Sequence, residues 1–154
     1  MILEKINKPE DLRKLNREEL ENLAEEVRKA LLNRLTKYPK GGHVGPNFGV
    51  VELTIALHYV FNSPVDKMIF DVSHQAYPHK ILTGRKDGFI YDEKFGTVNG
   101  YTDQDESEHD FFRVGHTSTS ISVAAGLAKA RDLKGTKENI IALIGDGSLS
   151  GGLA

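Results

Sequence analysis

Asn139-Ile140-Ile141-Ala142-Leu143-Ile144-Gly145-Asp146-Gly147-Ser148 is the stretch whose reading decides the fold. Its first half is a short, almost unbroken apolar run, which suits a strand buried on both faces. Its second half drops a glycine-flanked carboxylate just past that strand. A second run, Lys67 to Val72, has the same character and delivers Ser73-His74-Gln75 into a loop. Short apolar strands that alternate with helices predict an α/β fold: a parallel sheet with helices on both faces.

The helices are read from period and caps. Asn7-Lys8-Pro9-Glu10 opens a short helix, with Pro9 tolerated in a first turn. Asn16, with Glu19 three positions on, predicts a capping box at the head of a longer helix. Leu20, Leu23, Val27, Leu31 and Leu35 follow at steps of three and four and give it one apolar face; Pro39 and the glycines after it end it. Val50 to Phe61 reads as a mostly buried helix, and Tyr77 to Thr83 as another helical turn or two. Gly84 to Phe112 loses periodicity and reads as an irregular excursion over the surface. Thr117 is the expected cap of an Ala-rich helix that ends near Lys134, with Gly135 beyond it.

The 154 residues suffice for one domain with a core. A net charge of −2 gives no electrostatic reason to expect nucleic acid or an anionic membrane as partner. Cysteine is absent, which excludes disulfides and thiolate metal sites. Charge begins at Glu4-Lys5 where a secretory signal would be apolar, and no run reaches the length of a membrane span. The expected setting is the cytoplasm.

Ligands of parallel α/β sheets sit beyond the carboxyl ends of strands. Gly145-Asp146-Gly147-Ser148 falls there. Glycine lets backbone approach a phosphate, and Asp146 is a hard oxygen ligand of the kind magnesium takes when it bridges phosphates. The same residues also make an ordinary turn in which Asp bonds its own backbone. Asp71-Val72-Ser73-His74-Gln75-Ala76-Tyr77-Pro78-His79-Lys80 ends the other strand with a polar, basic cluster. His43, in Gly41-Gly42-His43-Val44-Gly45-Pro46, and His116, in Gly115-His116-Thr117, stand on two further loops. Three loop histidines, His43, His74 and His116, suit polar contact or proton transfer to one ligand and lack the spacing of a zinc site. His58 reads as a structural histidine inside its helix, and His109 as a solvated one.

Residues 41–54, 71–85, 106–110, 115–122 and 144–152 together resemble the 1-deoxy-D-xylulose-5-phosphate synthase family, with His74-Gln75-Ala76-Tyr77-Pro78-His79-Lys80 the most specific block. The resemblance implies a thiamine-diphosphate- and magnesium-dependent transferase. It condenses pyruvate with glyceraldehyde 3-phosphate, releases carbon dioxide and opens non-mevalonate isoprenoid synthesis. It implies magnesium at Asp146, and cofactor contacts from His74, Gly115, His116, Thr117, Gly147 and Ser148. It implies proton handling by His43. It also implies that residues 1–154 are an incomplete N-terminal part of the diphosphate-binding domain. The Asn that completes the magnesium shell, and a second domain with its activating glutamate, would lie on the rest of the same polypeptide or on a complementary chain. A homodimer is expected, and the isolated chain is expected to be inactive. A transketolase-type half subunit and a folded remnant without ligand are the alternatives.

Overall fold

In the computed structural model, which describes residues 1–40, 42–113 and 115–154, the chain divides into two units. One holds Met1–Asn62 and Gln75–Gly100, the other Ser63–His74 and Tyr101–Ala154. Gly41, the first residue of the glycine loop, and Val114, just before Gly115, lie outside the described residues.

The first unit is helical. Its long helix α1, Arg17–Lys37, starts at the predicted capping box: the Asn16 side chain accepts from the Glu19 amide (3.0 Å) and the Glu19 carboxylate accepts from the Asn16 amide (2.8 Å). The apolar stripe of α1 buries Leu23, Ala24, Val27, Ala30 and Leu31. A short helix α2, Val44–Phe48, replaces most of the predicted glycine loop and leads into α3, Val51–Val60. Only one face of α3 is buried, through Val51, Thr54, Ile55 and His58; Leu53 and Val60 are exposed. The reading of α3 as mostly buried is therefore corrected: composition alone hid its sidedness.

Helices α4, Tyr77–Lys80, and α5, Asp87–Ile90, complete this core with Tyr77, Ile81, Leu82, Phe89 and Val98. Each large apolar side chain so buried contributes roughly 1.5–3 kcal/mol. Residues 84–100 are thus anchored in the core through Phe89 and Val98, which the expected surface excursion did not foresee, while most of 91–100 is exposed. Their helical pieces are too short to show a period.

Two buried cations organise that stretch. Arg34 donates to the carbonyls of Gly88 (2.8 Å) and Val98 (2.7 Å), and its guanidinium lies 4.8 Å from the Phe89 ring centroid. Lys86 donates to the carbonyls of Leu3, Glu4 and Ile6 and to Asn7 Oδ1, and so holds the amino-terminal segment. Burial lowers the Lys86 pKa despite the carboxylates of Asp87, Asp11 and Glu4.

The second unit carries the sheet. Strands β1, Lys67–Phe70, and β2, Ile140–Leu143, pair in parallel with Lys67 opposite Ile140 and Phe70 opposite Leu143. Helix α6, Ser120–Lys134, packs against both and ends at Gly135, whose φ of 69° is the left-handed cap the sequence predicts. This is the expected parallel α/β arrangement. Asp66 Oδ1 accepts from the backbone (2.7 Å) and side-chain (2.9 Å) amides of Asn139, so the strands are clamped at their amino ends. The residues of β1 after Lys67 are buried, whereas all of β2 is only half-buried. Among the described residues no helix is long and apolar enough to cross a membrane.

Candidate functional site

Parallel pairing brings the carboxyl ends of β1 and β2 side by side, and the segments leaving them meet there. The Asp71 amide donates to the Leu143 carbonyl (2.7 Å), one residue beyond the ladder. The chain then turns sharply: the Ser73 amide donates back to the Asp71 carbonyl, and Val72 (φ 59°) and Ser73 (φ 66°) both take the left-handed conformation that L-residues disfavour. His74 follows, half-buried. Ser73 itself is buried, and its hydroxyl accepts from the Thr102 amide (3.1 Å).

The second segment is Gly115-His116-Thr117, exposed throughout. Thr117 does not cap α6 as expected. The helix opens at Ser120, its cap residue Thr119 makes no capping bond, and the anion at its start comes from elsewhere in the sequence. Asp71 Oδ2 accepts from the Ser118 amide (3.0 Å), and Asp71 Oδ1 from the Ser120 amide (3.1 Å). Burial alone would raise the Asp71 pKa; those two amides, together with the Ser120 and Ser148 hydroxyls, outweigh it and hold the carboxyl below its ordinary range.

The third segment is the turn Asp146–Ser150, directly after β2. Asp146 is exposed, and its Oδ1 accepts from the Gly147 amide (2.8 Å), the local turn bond expected of Asp in such a sequence. The Ser118 hydroxyl donates to the Ser148 carbonyl (2.7 Å) and joins this turn to the 115–118 segment. Gly151 is needed here, since a β-carbon would overlap the Ser118 side chain.

Three of the sequence-predicted segments, those of His74, of Gly115–Thr117 and of Asp146–Ser148, are thus carried at one end of one strand pair. As a donor set they are hard and sparse. Among the described residues no group of three or more His, Cys, Asp or Glu side chains surrounds a common point. A single carboxylate fits magnesium that draws its remaining ligands from phosphate and water, and does not fit a protein-caged zinc.

His43 is carried by the first unit. It is exposed and precedes α2, and its carbonyl accepts from the Asn47 side chain (2.7 Å). Buried Asn47 also accepts, through Oδ1, from the Tyr77 amide (2.9 Å). Gly42 (φ 136°) lies so close to the Tyr77 ring that a β-carbon would fall 2.7 Å from it. The backbone before His43 is therefore set by Asn47 and Tyr77, neither singled out from sequence.

The remaining histidines divide differently. His58 and His79 are buried and bonded to one another, which matches the structural reading of His58 and withdraws His79 from any exposed basic cluster. His109, expected to be solvated, is half-buried with Nδ1 2.8 Å from the Ser63 hydroxyl. Asp71 and Ser118 are the residues that sequence reading missed. A carboxylate immediately past a buried strand was the available signal for Asp71. An open groove of about 570 Å³ between α1 and α3, lined by Leu20, Ala24, Ile55 and Tyr59 among others, contains none of the candidate residues.

The sequence matches known proteins along nearly its whole length. The family model described as 1-deoxy-D-xylulose-5-phosphate synthase matches residues 3–154. A 1-deoxy-D-xylulose-5-phosphate synthase of Caldanaerobacter subterraneus subsp. tengcongensis is 55% identical over 153 residues, which is 99% of this chain and 24% of that protein. One of Halalkalibacterium halodurans is 55% identical over 154 residues, 100% of this chain and 24% of that protein. One of Dictyoglomus thermophilum is 53% identical, again over the whole chain and 25% of the relative. The chain spans about a quarter of the length of the curated relatives it matches. With the profile matched almost end to end and more than half of the residues shared, the chain belongs to the 1-deoxy-D-xylulose-5-phosphate synthase family.

Proposed function

We propose that this chain supplies the diphosphate-handling part of an enzyme that condenses pyruvate with glyceraldehyde 3-phosphate to 1-deoxy-D-xylulose 5-phosphate, with loss of carbon dioxide. That reaction opens non-mevalonate isoprenoid synthesis, and its product also feeds thiamine and pyridoxal synthesis. The observation that carries the proposal is the gathering of the 71–74, 115–118 and 145–150 segments at the carboxyl ends of β1 and β2. This is where α/β sheets bind phosphorylated ligands.

The residues then take these roles. Asp146 holds magnesium, and the backbone of Gly147 and Ser148 receives the diphosphate, with glycine permitting close approach. His74 and Gly115-His116-Thr117 contact the remainder of the cofactor. His43 holds or moves a proton on the substrate, a role that rests on the family resemblance. When bound, thiamine diphosphate supplies the carbanion chemistry, and the protein orients it, neutralises its charge and transfers protons. Residues 1–154 form an incomplete domain on this reading, completed by the remaining length of the protein or by a complementary chain. The complete enzyme is a cytoplasmic homodimer.

The test uses a protein containing this chain together with the rest of the family's length. Pyruvate, glyceraldehyde 3-phosphate, magnesium and thiamine diphosphate should together yield carbon dioxide and 1-deoxy-D-xylulose 5-phosphate. Two-carbon transfer from ketose phosphates, with pyruvate not consumed, would identify a transketolase-type activity in its place.

A further inference from the structure

We infer that Asp71 is a positioning residue: its carboxylate fixes the Gly115–Ser118 segment and, through the Ser118 hydroxyl, the turn at Asp146–Ser150. The inference rests on the reading of that turn as the diphosphate site.

Asp71 has little freedom of its own. Its side chain is about 1% exposed, and its amide is tied to Leu143 at the end of the strand pair. From this fixed point both carboxylate oxygens are used, one on the Ser118 amide and one on the Ser120 amide. The anion at the start of α6 is therefore the protein's own. An incoming phosphate has no vacancy at these two amides, which narrows the expected phosphate contacts to the turn after β2.

The backbone around Asp71 is held in unfavourable shapes. Val72, Ser73 and Ser118 have φ of 59°, 66° and 68°, and each is adjacent to Asp71 or bonded to it. Residues with side chains stay in this region only where their surroundings over-determine them. Ser118 in that conformation sends its hydroxyl to the Ser148 carbonyl, and Gly151 leaves it the room to do so. Asp71, Ser118 and Ser148 thus link the end of β1 to the turn after β2, and the Ser148 hydroxyl also bears directly on the Asp71 carboxylate. A carboxylate held below its ordinary pKa range stays charged at neutral pH, so the link persists under working conditions. A plain helix cap would bond the Ser118 and Ser120 amides equally well, but its influence would stop within the first turn of α6.

The experiment compares Asp71→Asn, Ser118→Ala and the double variant of this chain. It reads amide hydrogen exchange and the affinity for inorganic pyrophosphate with magnesium. Asp71→Asn should speed exchange about tenfold or more at Ser118 and Ser120, and also at Gly147–Gly151. Ser118→Ala should speed only the latter group. Both should weaken pyrophosphate binding, and the double variant should lose less than the sum of the two single losses, because the contacts share one network; full additivity would overturn the link. Faster exchange confined to residues 118–122, with pyrophosphate affinity unchanged, would reduce Asp71 to a helix cap and overturn the inference. If Asp71→Asn unfolds the second unit, Ser118→Ala decides: unchanged exchange at Gly147–Gly151 overturns the link, and faster exchange there supports it. An unmodified chain that does not bind pyrophosphate would count against the diphosphate reading. The exchange data would still settle the link.

Discussion

His58 Nε2 lies 2.9 Å from His79 Nδ1, with the two ring planes 20° apart, and neither residue is exposed. One ring donates and the other accepts, so the pair is a cross-link between α3 and α4 within the first core. His79 belongs to the most family-specific block of the sequence, yet this contact gives it a structural task.

Replacing His58 with Leu keeps much of the volume and deprives His79 of this partner. The expected cost is about 1–3 kcal/mol of stability, the usual range for a buried polar group that loses its bond. Urea unfolding of the single and double Leu variants checks it. The double variant should lose less than the sum of the two singles. Strict additivity would show that the bond contributes nothing.

The architecture was legible where physics is local. The Asn16–Glu19 capping box, the stripe on α1 and the Gly135 cap are each set by residues within a turn of one another, and each stands as predicted. The two apolar runs marked both strands, although only β1 is buried and β2, expected to be buried too, is half-buried. The contents of residues 84–100 were not legible, because Phe89 and Val98 are recruited by Arg34 from far away in sequence. The same holds at the site. The loops bearing His74, Gly115–Thr117 and Asp146 could be named from glycine and histidine content. Asp71 could not be given its task, since its partners lie 47 and 49 positions away.

Asp71 should shape the acid limb of stability. Its pKa is lower folded than unfolded, so its contribution is full above the unfolded value and disappears as pH falls through the folded one. Unfolding free energy measured from neutral pH down to about pH 2 should therefore fall less steeply in Asp71→Asn than in the unmodified chain. The two curves should converge at the acid end. Parallel curves would mean that Asp71 titrates alike in both states.

In a protein of the family's full length, His43→Ala should lower turnover by about 10²–10⁴, the usual range for a general acid–base group, while cofactor affinity changes little. Steady-state kinetics with a cofactor titration separates the two. Near-normal turnover would leave His43 with only its place before α2.

Residues 1–154 alone should not release carbon dioxide from pyruvate above the free-cofactor background. On the family reading, the carboxylate that activates the cofactor lies outside this stretch. Glu52 is engaged with Arg28, and its pKa is lowered by that hydrogen bond, which makes it a poor substitute. Turnover that survives repurification would show the base to be within this chain.

The most direct test of the account is an amide NMR titration of this chain with thiamine diphosphate and magnesium, alongside the Asp146→Ala variant. Magnesium-dependent shifts should concentrate in residues 72–74, 115–118 and 145–150, and should be lost in Asp146→Ala without loss of fold, since Asp146 is exposed. Shifts that fall elsewhere, or that persist unchanged in Asp146→Ala, would contradict the account.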